Sequence, residues 1–201
     1  MSSRMQPARV LPILAAFVCG LLLVFAAIMH FAGPSGSPIG SAIAAVGGPF
    51  QLEDQNGRPF SDRDLKGRPF LIFFGYTHCP DICPTTLFEM SEVIKTLGRD
   101  ADRAGAIFIT VDPERDSPAA LKDYLSNFDP HLRGLTGDPA AVEAAIKAYR
   151  VYAKKVPLKD GDYTMDHTAV VYLMDKDGHF VAPFNLTQSP EAAAEQLRRY
   201  L

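Results

Sequence analysis

The chain has 201 residues, of which 47% are hydrophobic and 21% charged, and its formal net charge is −3. This size and balance suit one membrane segment followed by one globular domain. The lack of a basic excess argues against nucleic acid as a partner, and a chain with only three cysteines is not a disulfide-rich mini-protein.

An apolar run near the N-terminus predicts a membrane anchor. Residues 10–32 contain no Asp, Glu, Lys or Arg, and a helix needs about 20 such residues to cross a bilayer. The apolar core of a cleaved signal peptide is shorter, roughly 7–15 residues. Arg4 and Arg9 precede the run, so the positive-inside rule predicts a cytoplasmic segment 1–9. Cys19 is then a buried residue of the membrane helix.

The short arginine-bearing leader favours a bacterial inner membrane, with the globular part in the periplasm, over the mitochondrial inner membrane facing the intermembrane space. Residues 33–48 are small, uncharged and rich in Gly, Pro and Ser, which predicts a flexible tether. The globular domain is therefore expected to span residues 49–201. It opens with a predicted β-hairpin over 49–67, with Asn56-Gly57 as its turn.

The rest of this domain alternates predicted strands and helices. Continuous apolar runs indicate buried strands, whereas Ser-Pro and Asp-Pro pairs followed by helical spacing indicate helix starts. The predicted elements are a strand over 69–75, a helix from Pro84, a strand over 106–111, a helix from Ser117 to about Phe128, a helix over 139–153, a strand over 168–174, a returning strand over 179–184 and a helix over 190–200. A polar, Lys-rich connection, 150–163, precedes the strand at 168. The order predicts an α/β fold of the thioredoxin-like type, with an N-terminal β-hairpin and a preceding transmembrane helix.

The first candidate site is the pair Cys79 and Cys83 in GYTHCPDICPTTL, at the predicted turn from a buried strand into a helix. The pair can form a structural disulfide, act as a redox couple or bind a metal. A disulfide that closes so small a loop stabilises the fold little. A helix start is expected to lower the pKa of a nearby thiol, and the thiolate is the form that attacks disulfides and binds metals.

The third candidate ligand is His167, immediately before the predicted strand. In a thioredoxin-like layout this segment faces the cysteine loop, where thioredoxins place a cis-proline. Here Met165, Asp166 and His167 occupy the position, and a histidine supplies a ligand that a proline cannot. Two thiolates and one imidazole suit Cu(I), and Cu(II) with an additional ligand. Asp166 either orients the imidazole or is a solvated turn residue.

Three motifs, GYTHCPDICPTTL, TVDPERDSP and DHTAVVYL, together resemble the Sco/SenC family. Members of this family are membrane-anchored, thioredoxin-fold copper proteins that assist assembly of the CuA centre of cytochrome c oxidase. The resemblance covers about residues 49–201 and places the copper ligands on Cys79, Cys83 and His167. It implies the CuA-bearing oxidase subunit as the partner, with a thioredoxin-type thiol reductant and other copper carriers as further candidates.

Two functions remain open at this point. In the first, the protein is a copper metallochaperone that turns over no substrate and is not an enzyme in the strict sense. In the second, it is a thiol–disulfide oxidoreductase in which Cys79 attacks a partner disulfide, that of the CuA-site cysteines or of other extracytoplasmic thiols, and Cys83 resolves the mixed disulfide. A peroxide-reducing enzyme of the same fold is a weaker third reading, because no activating environment for one cysteine is evident.

The DPERDSP segment follows a predicted strand at the same end of the sheet as the cysteines. Ser117 and Pro118 are expected to form a helix cap. Asp112 and Arg115 are expected either to belong to that turn, to brace the site or to dock a partner. His78, beside Cys79, is expected to be an exposed loop histidine.

Overall fold

The structure is a computed structural model that describes residues 18–26, 46–159 and 161–201. Residues 18–26 are helical and expose large apolar side chains. Within the described ranges, no helix has both the length and the apolar character that a membrane crossing needs. The predicted leader, most of the predicted anchor and most of the predicted tether lie outside the described residues. The chain divides after Ile43 into two units, and the second, Ala44–Leu201, contains the sheet.

The described part of the second unit contains nine strands and four α-helices. The strands are β1 Gln51–Asp54, β2 Pro59–Ser61, β3 Phe70–Gly75, β4 Gly105–Thr110, β5 Leu132–Thr136, β6 Ala153–Pro157, β7 Tyr163–His167, β8 Val171–Met174 and β9 Phe180–Pro183. The helices are α1 Ile82–Leu97, α2 Pro118–Leu125, α3 Pro139–Ala148 and α4 Pro190–Arg198. Two short 3-10 helices, Asp62–Leu65 and Gly98–Arg103, lie in the connections.

The main sheet has seven strands in the order β2-β1-β5-β4-β3-β8-β9, and β6 and β7 form a separate two-stranded sheet. The central strands β3, β4 and β5 are parallel, and the outer strands pair antiparallel. Every residue of β3 and β4 is buried. Their apolar runs follow from this position, because a parallel strand at the centre of an α/β sheet is covered on both faces.

Helices cover both faces of the main sheet. Successive strand residues point to opposite faces. Phe73 contacts Phe108, whose ring in turn contacts Tyr124 of α2. Phe74, on the other face, contacts Tyr149, the residue that follows α3. The core therefore lies in two layers, one on each side of β3 and β4.

Proline marks the start of three helices. In α2, α3 and α4 the first residue is a proline, and the Ser or Asp before it accepts a backbone N–H through its side chain. These are the start signals that the sequence displays, and the predicted cap at Ser117 and Pro118 is confirmed.

The predicted N-terminal hairpin is confirmed as β1 and β2, and Gly57 adopts a φ of 72° in its turn, a conformation that suits glycine. Other predictions were wrong in detail. Helix α3 ends at Ala148 rather than near 153, and Arg150 turns the chain with a φ of 57°. The predicted connection 150–163 contains β6, and the predicted strand 168–174 is only β8, preceded by the separate strand β7.

Candidate metal centre

The two cysteines lie where the central strand β3 leads into α1. The strand ends at Gly75 and the helix begins at Ile82, so Cys79 belongs to the connecting loop and Cys83 to the first helical turn. Both are free thiols, and the two residues are 8% and 0% exposed. The backbone N–H of Cys83 donates to the Sγ of Cys79 over 3.4 Å. This contact gives a partner to one of the N–H groups at the helix start that have no intrahelical acceptor.

The structure brings His167 to these cysteines from a distant part of the chain. It is the last residue of β7, and its Nε2 lies 3.5 Å from the Sγ of Cys83. The two sulfurs and one ring nitrogen all lie within 4.8 Å of one another. The three side chains that the sequence predicts as ligands are therefore together at one point.

A backbone carbonyl fixes the orientation of the imidazole. The Nδ1 of His167 is 3.1 Å from the carbonyl oxygen of Thr168, and since a carbonyl only accepts, Nδ1 carries the proton. The unprotonated Nε2 then faces the sulfurs. Burial lowers the pKa of His167 below its ordinary value, although the Thr168 carbonyl and Asp166 act in the opposite direction. Of the two alternatives for Asp166, the solvated one fits better, because its side chain is exposed, although the residue lies in β7 and not in a turn. The Thr168 carbonyl orients the imidazole instead.

The expectation that the helix start lowers thiol pKa values is wrong for Cys83. Burial raises the pKa of the Cys83 thiol far above its ordinary value, and the nearby Cys79 raises it further. The cause is that a thiolate at this position would lose nearly all of its hydration, and desolvation disfavours the charged form. A bound metal cation reverses this preference, because coordination deprotonates a thiol.

The donor set matches a soft monovalent ion. Thiolates select Cu(I) and imidazole suits copper, whereas carboxylate oxygens suit harder ions. The donors are one imidazole nitrogen and two sulfurs, and their mutual distances allow a single ion to contact all of them. The residues present thus fit copper, and the proximity of the two sulfurs is also compatible with a reversible disulfide.

A buried aspartate ties the cysteine loop to the DPERDSP segment. Asp116 is 0% exposed and accepts from the backbone N–H of Thr77 at 3.0 Å and from its hydroxyl at 2.6 Å. It also accepts from the hydroxyl of Thr110 at 2.6 Å. Burial raises the pKa of Asp116, and these hydrogen bonds oppose the shift. Because Thr77 lies shortly before Cys79, the segment helps to set the path of the cysteine loop. His78 is exposed, as predicted.

Side chains that sequence reasoning missed complete the surroundings. The hydroxyl of Tyr76 lies 2.7 Å from the Thr164 hydroxyl and so links the end of β3 to β7. The ring of Tyr76 meets that of His167 edge-on, with centroids 5.7 Å apart. The position of Tyr76 inside the cysteine motif was a signal, whereas nothing in the sequence pairs it with Thr164.

Comparison with known proteins yields consistent matches. The SCO1/SenC family model matches residues 40–201. A SCO2-like protein from Rickettsia conorii is 42% identical over 155 residues, which are 76% of this chain and 76% of the relative.

Solved structures agree with these matches. Bradyrhizobium japonicum ScoI with copper bound is 69% identical, with a TM-score of 0.77, and the similarity covers 78% of this chain and 100% of that one. BsSco is 26% identical, with a TM-score of 0.60, over 77% of this chain and 92% of its own. It is described as having a disulfide switch and as a member of the Sco family of cytochrome c oxidase assembly proteins. The predicted α/β, thioredoxin-like fold is confirmed.

Proposed function

The chain belongs to the SCO1/SenC family, and from that premise we propose that it is a copper carrier for cytochrome c oxidase assembly. Cys79, Cys83 and His167 hold one Cu(I), and the recipient is the CuA-bearing oxidase subunit. The observation that carries this proposal is the convergence of two sulfurs and an oriented imidazole within 4.8 Å. The similarity to a copper-bound ScoI supports copper as the metal.

The donors suit transfer as well as binding. A three-coordinate site has room for an incoming ligand, so cysteines and histidines of the recipient can replace the donors one at a time. His167 is the donor best suited to leave first, since it ends a strand of the small sheet while Cys83 is fixed in α1. Thioredoxin-type reductants and other copper carriers are further partners, because the cysteines must be reduced and loaded before delivery.

The proposed organisation places the carrier on a membrane. Residues 1–9 are cytoplasmic, 10–32 form the anchor, 33–48 form a flexible tether and 49–201 form the copper-binding domain. The support is the uncharged apolar run with two arginines before it. We place the domain in the bacterial periplasm.

The test is competition for Cu(I) between the pre-reduced full chain and a chelator of known affinity. We expect one tight equivalent, and a loss of affinity greater than about 100-fold in Cys79→Ser or Cys83→Ser, because removing an outer partner of a ligand alone costs about 10–100-fold. His167→Ala is expected to weaken binding less than either cysteine change. Cys19→Ser is the matched control and should bind like the wild type. Equal affinities in the wild type and Cys83→Ser would refute the proposal.

A second function is favoured by one specific contact. The backbone N–H of Cys83 donates to the sulfur of Cys79, which is the more exposed of the two cysteines and the one that a partner reaches first. Cys79 can therefore attack a partner disulfide, whose second sulfur leaves as a thiolate. Cys83 then attacks the Cys79 sulfur and releases the partner thiol. The partner gains two electrons, and Cys79 and Cys83 end as a disulfide.

His167 separates the two functions. Disulfide exchange needs only the cysteines, so His167→Ala should leave the rate of disulfide reduction intact while it lowers Cu(I) affinity. If the substitution leaves Cu(I) affinity unchanged and reduction remains rapid, the oxidoreductase function is the correct one.

A further inference from the structure

We propose that Arg115 is a positioning residue that holds the β6–β7 hairpin, and with it His167, against the cysteine loop. The proposal rests on the copper-carrier function for its metal readout, whereas its structural readout does not depend on that function. Arg115 acts through Tyr163, the first residue of the strand that His167 ends.

The guanidinium of Arg115 contacts Tyr163 through a hydrogen bond and through ring stacking. Its Nη1 donates to the carbonyl oxygen of Tyr163 at 3.0 Å. Its central carbon lies 3.7 Å from the centroid of the Tyr163 ring, so the planar cation stacks on the aromatic face. Nη1 also donates to the carboxylate of Asp162 at 3.2 Å. The arginine side chain is only 17% exposed, which strengthens its contacts with Tyr163 relative to the same contacts in water, whereas Asp162 is 61% exposed and adds little.

A buried carboxylate fixes Arg115 on the other side. Asp112 is 1% exposed, and one of its oxygens accepts from the Nε of Arg115 at 2.5 Å. Its second oxygen accepts from the hydroxyl of Tyr163 at 2.9 Å. Asp112, Arg115 and Tyr163 thus each contact the other two. Arg115 binds the carbonyl of Tyr163, and Asp112 binds its hydroxyl.

The same segment is attached to the cysteine side of the site. The N–H groups of Arg115 and Asp116 both donate to the carbonyl of Asp112, which makes a tight turn of these residues. Asp116 binds Thr77 of the cysteine loop through two hydrogen bonds. The turn therefore joins both halves of the site, with Asp116 on the cysteine side and Arg115 on the histidine side.

Arginine suits this role for a physical reason. Its rigid fork donates in two directions at once while its plane stacks on a ring, which a lysine ammonium cannot do. The other cation near Tyr163 shows the difference, because Lys155 lies 4.2 Å from the ring centroid and pairs with the exposed Glu114 at 2.7 Å. That pair lies on the surface, where an ion pair contributes little.

The structural test is amide exchange of the metal-free, reduced full chain. Arg115→Gln removes the positive charge, the two-directional donor geometry of the guanidinium and the ring stacking. We therefore expect amide hydrogen exchange at residues 163–167 to become at least about tenfold faster, which corresponds to about 1.4 kcal/mol of opening free energy. Exchange in β3 and β4 should stay unchanged. Arg115→Lys should not restore protection of the hairpin. Arg133→Gln is the matched control, since Arg133 also pairs with a buried aspartate, Asp54, at 3.1 Å and lies 4.9 Å from the Phe60 ring, away from the hairpin.

The metal test is a double-mutant cycle on Cu(I) affinity. Arg115→Gln should weaken binding about tenfold in the wild type and leave it unchanged in the His167→Ala background, because the arginine acts only through the histidine. Equal losses in both backgrounds would show that Arg115 acts elsewhere and would overturn the proposal. Unchanged hairpin exchange in Arg115→Gln would overturn it as well. Failure of the carrier function would appear separately, as a wild type whose Cu(I) affinity does not depend on His167 at all.

Discussion

The two halves of the site are built in opposite ways. The cysteine half grows from β3, a central strand that is buried at every residue, and Cys83 sits at 0% exposure in the helix that follows. The histidine half is a two-stranded hairpin in which each residue of β6 and β7 is exposed or only partly buried. Burial of apolar surface fixes the first half, whereas polar and aromatic contacts hold the second. The cysteine half is therefore held rigidly by the core. The histidine half can detach without unfolding that core.

The largest expected difference between the halves is in amide exchange. Isolated two-stranded hairpins are marginally stable, whereas core strands open only with the whole protein. We expect the amides of β6 and β7 to exchange at least about a thousandfold faster than those of β3 and β4, which corresponds to a gap of about 4 kcal/mol in opening free energy. Exchange of the metal-free full chain, followed by NMR or mass spectrometry, measures this. Equal exchange in the hairpin and the core would mean that the two halves open together and do not differ in stability.

The same contrast explains how much the sequence predicts. The cysteine half is local, because a continuous apolar run, a Pro-flanked cysteine pair and a helical pattern follow one another within residues 69–97. Each signal arises from burial or from a helix start, and both produce recognisable patterns in adjacent residues of the sequence. The pair, its place in the fold and the strand before it were therefore predictable.

The histidine half has weaker signals in the sequence. Strand β6 carries two exposed lysines, Lys154 and Lys155, and its pattern resembles a polar loop. Strand β5, Leu132–Thr136, was missed for a related reason, because it is short and contains Arg133 and Gly134. Its neighbours in the sheet bury it, and that information is not contained in the segment itself.

The role of the DPERDSP segment was not predictable for a third reason. Ser117 caps α2 through a local contact, which its sequence signals. Asp112 and Arg115 instead meet Tyr163, about fifty residues further along the chain, and Asp116 meets Thr77, which precedes it. Long-range polar contacts have no periodicity, so residue types alone left three roles open: part of the turn, a brace for the site and a docking point for a partner.

A substitution inside the rigid half should have an effect of intermediate size. A Cβ placed on Gly75 would lie 2.9 Å from the Sγ of Cys83 and 2.8 Å from the Phe108 ring. Gly75→Ala should therefore lower the free energy of unfolding by about 1–3 kcal/mol, as overpacking does, and should also weaken Cu(I) binding because it displaces a sulfur. Chemical unfolding of the metal-free chain and chelator competition measure the two effects.

A matched glycine in the same sheet separates these effects. Gly105 pairs with Phe70 in the register of β3 and β4, and a Cβ there would lie 2.7 Å from the Cβ of Phe70, at the end of the strands away from the cysteines. Gly105→Ala should cost similar stability while Cu(I) affinity stays at the wild-type level. If both variants lose Cu(I) affinity equally, the sulfur position depends on overall packing and not on its immediate neighbours.

The smallest expected effect is the pH dependence that His167 adds to the stability of the metal-free chain. Its folded pKa lies below the ordinary value of 6.5, with burial as the main cause, so at acidic pH the unfolded state binds the proton more readily than the folded state. The stabilisation is present above pH 6.5 and is lost as the pH falls toward the lower folded pKa.

The measurement is the difference in unfolding free energy between the wild type and His167→Gln across this range, since other titrating groups are common to both chains and cancel. The wild type should lose its advantage over the variant as the pH falls from 7 to about 5. This result would place the proton-sensitive step in the hairpin half, because an imidazole that becomes charged is better solvated once it has left the sulfurs. A difference that grows with falling pH would instead mean that the folded state favours the charged ring, which contradicts the buried, neutral imidazole on which the contrast between the halves depends.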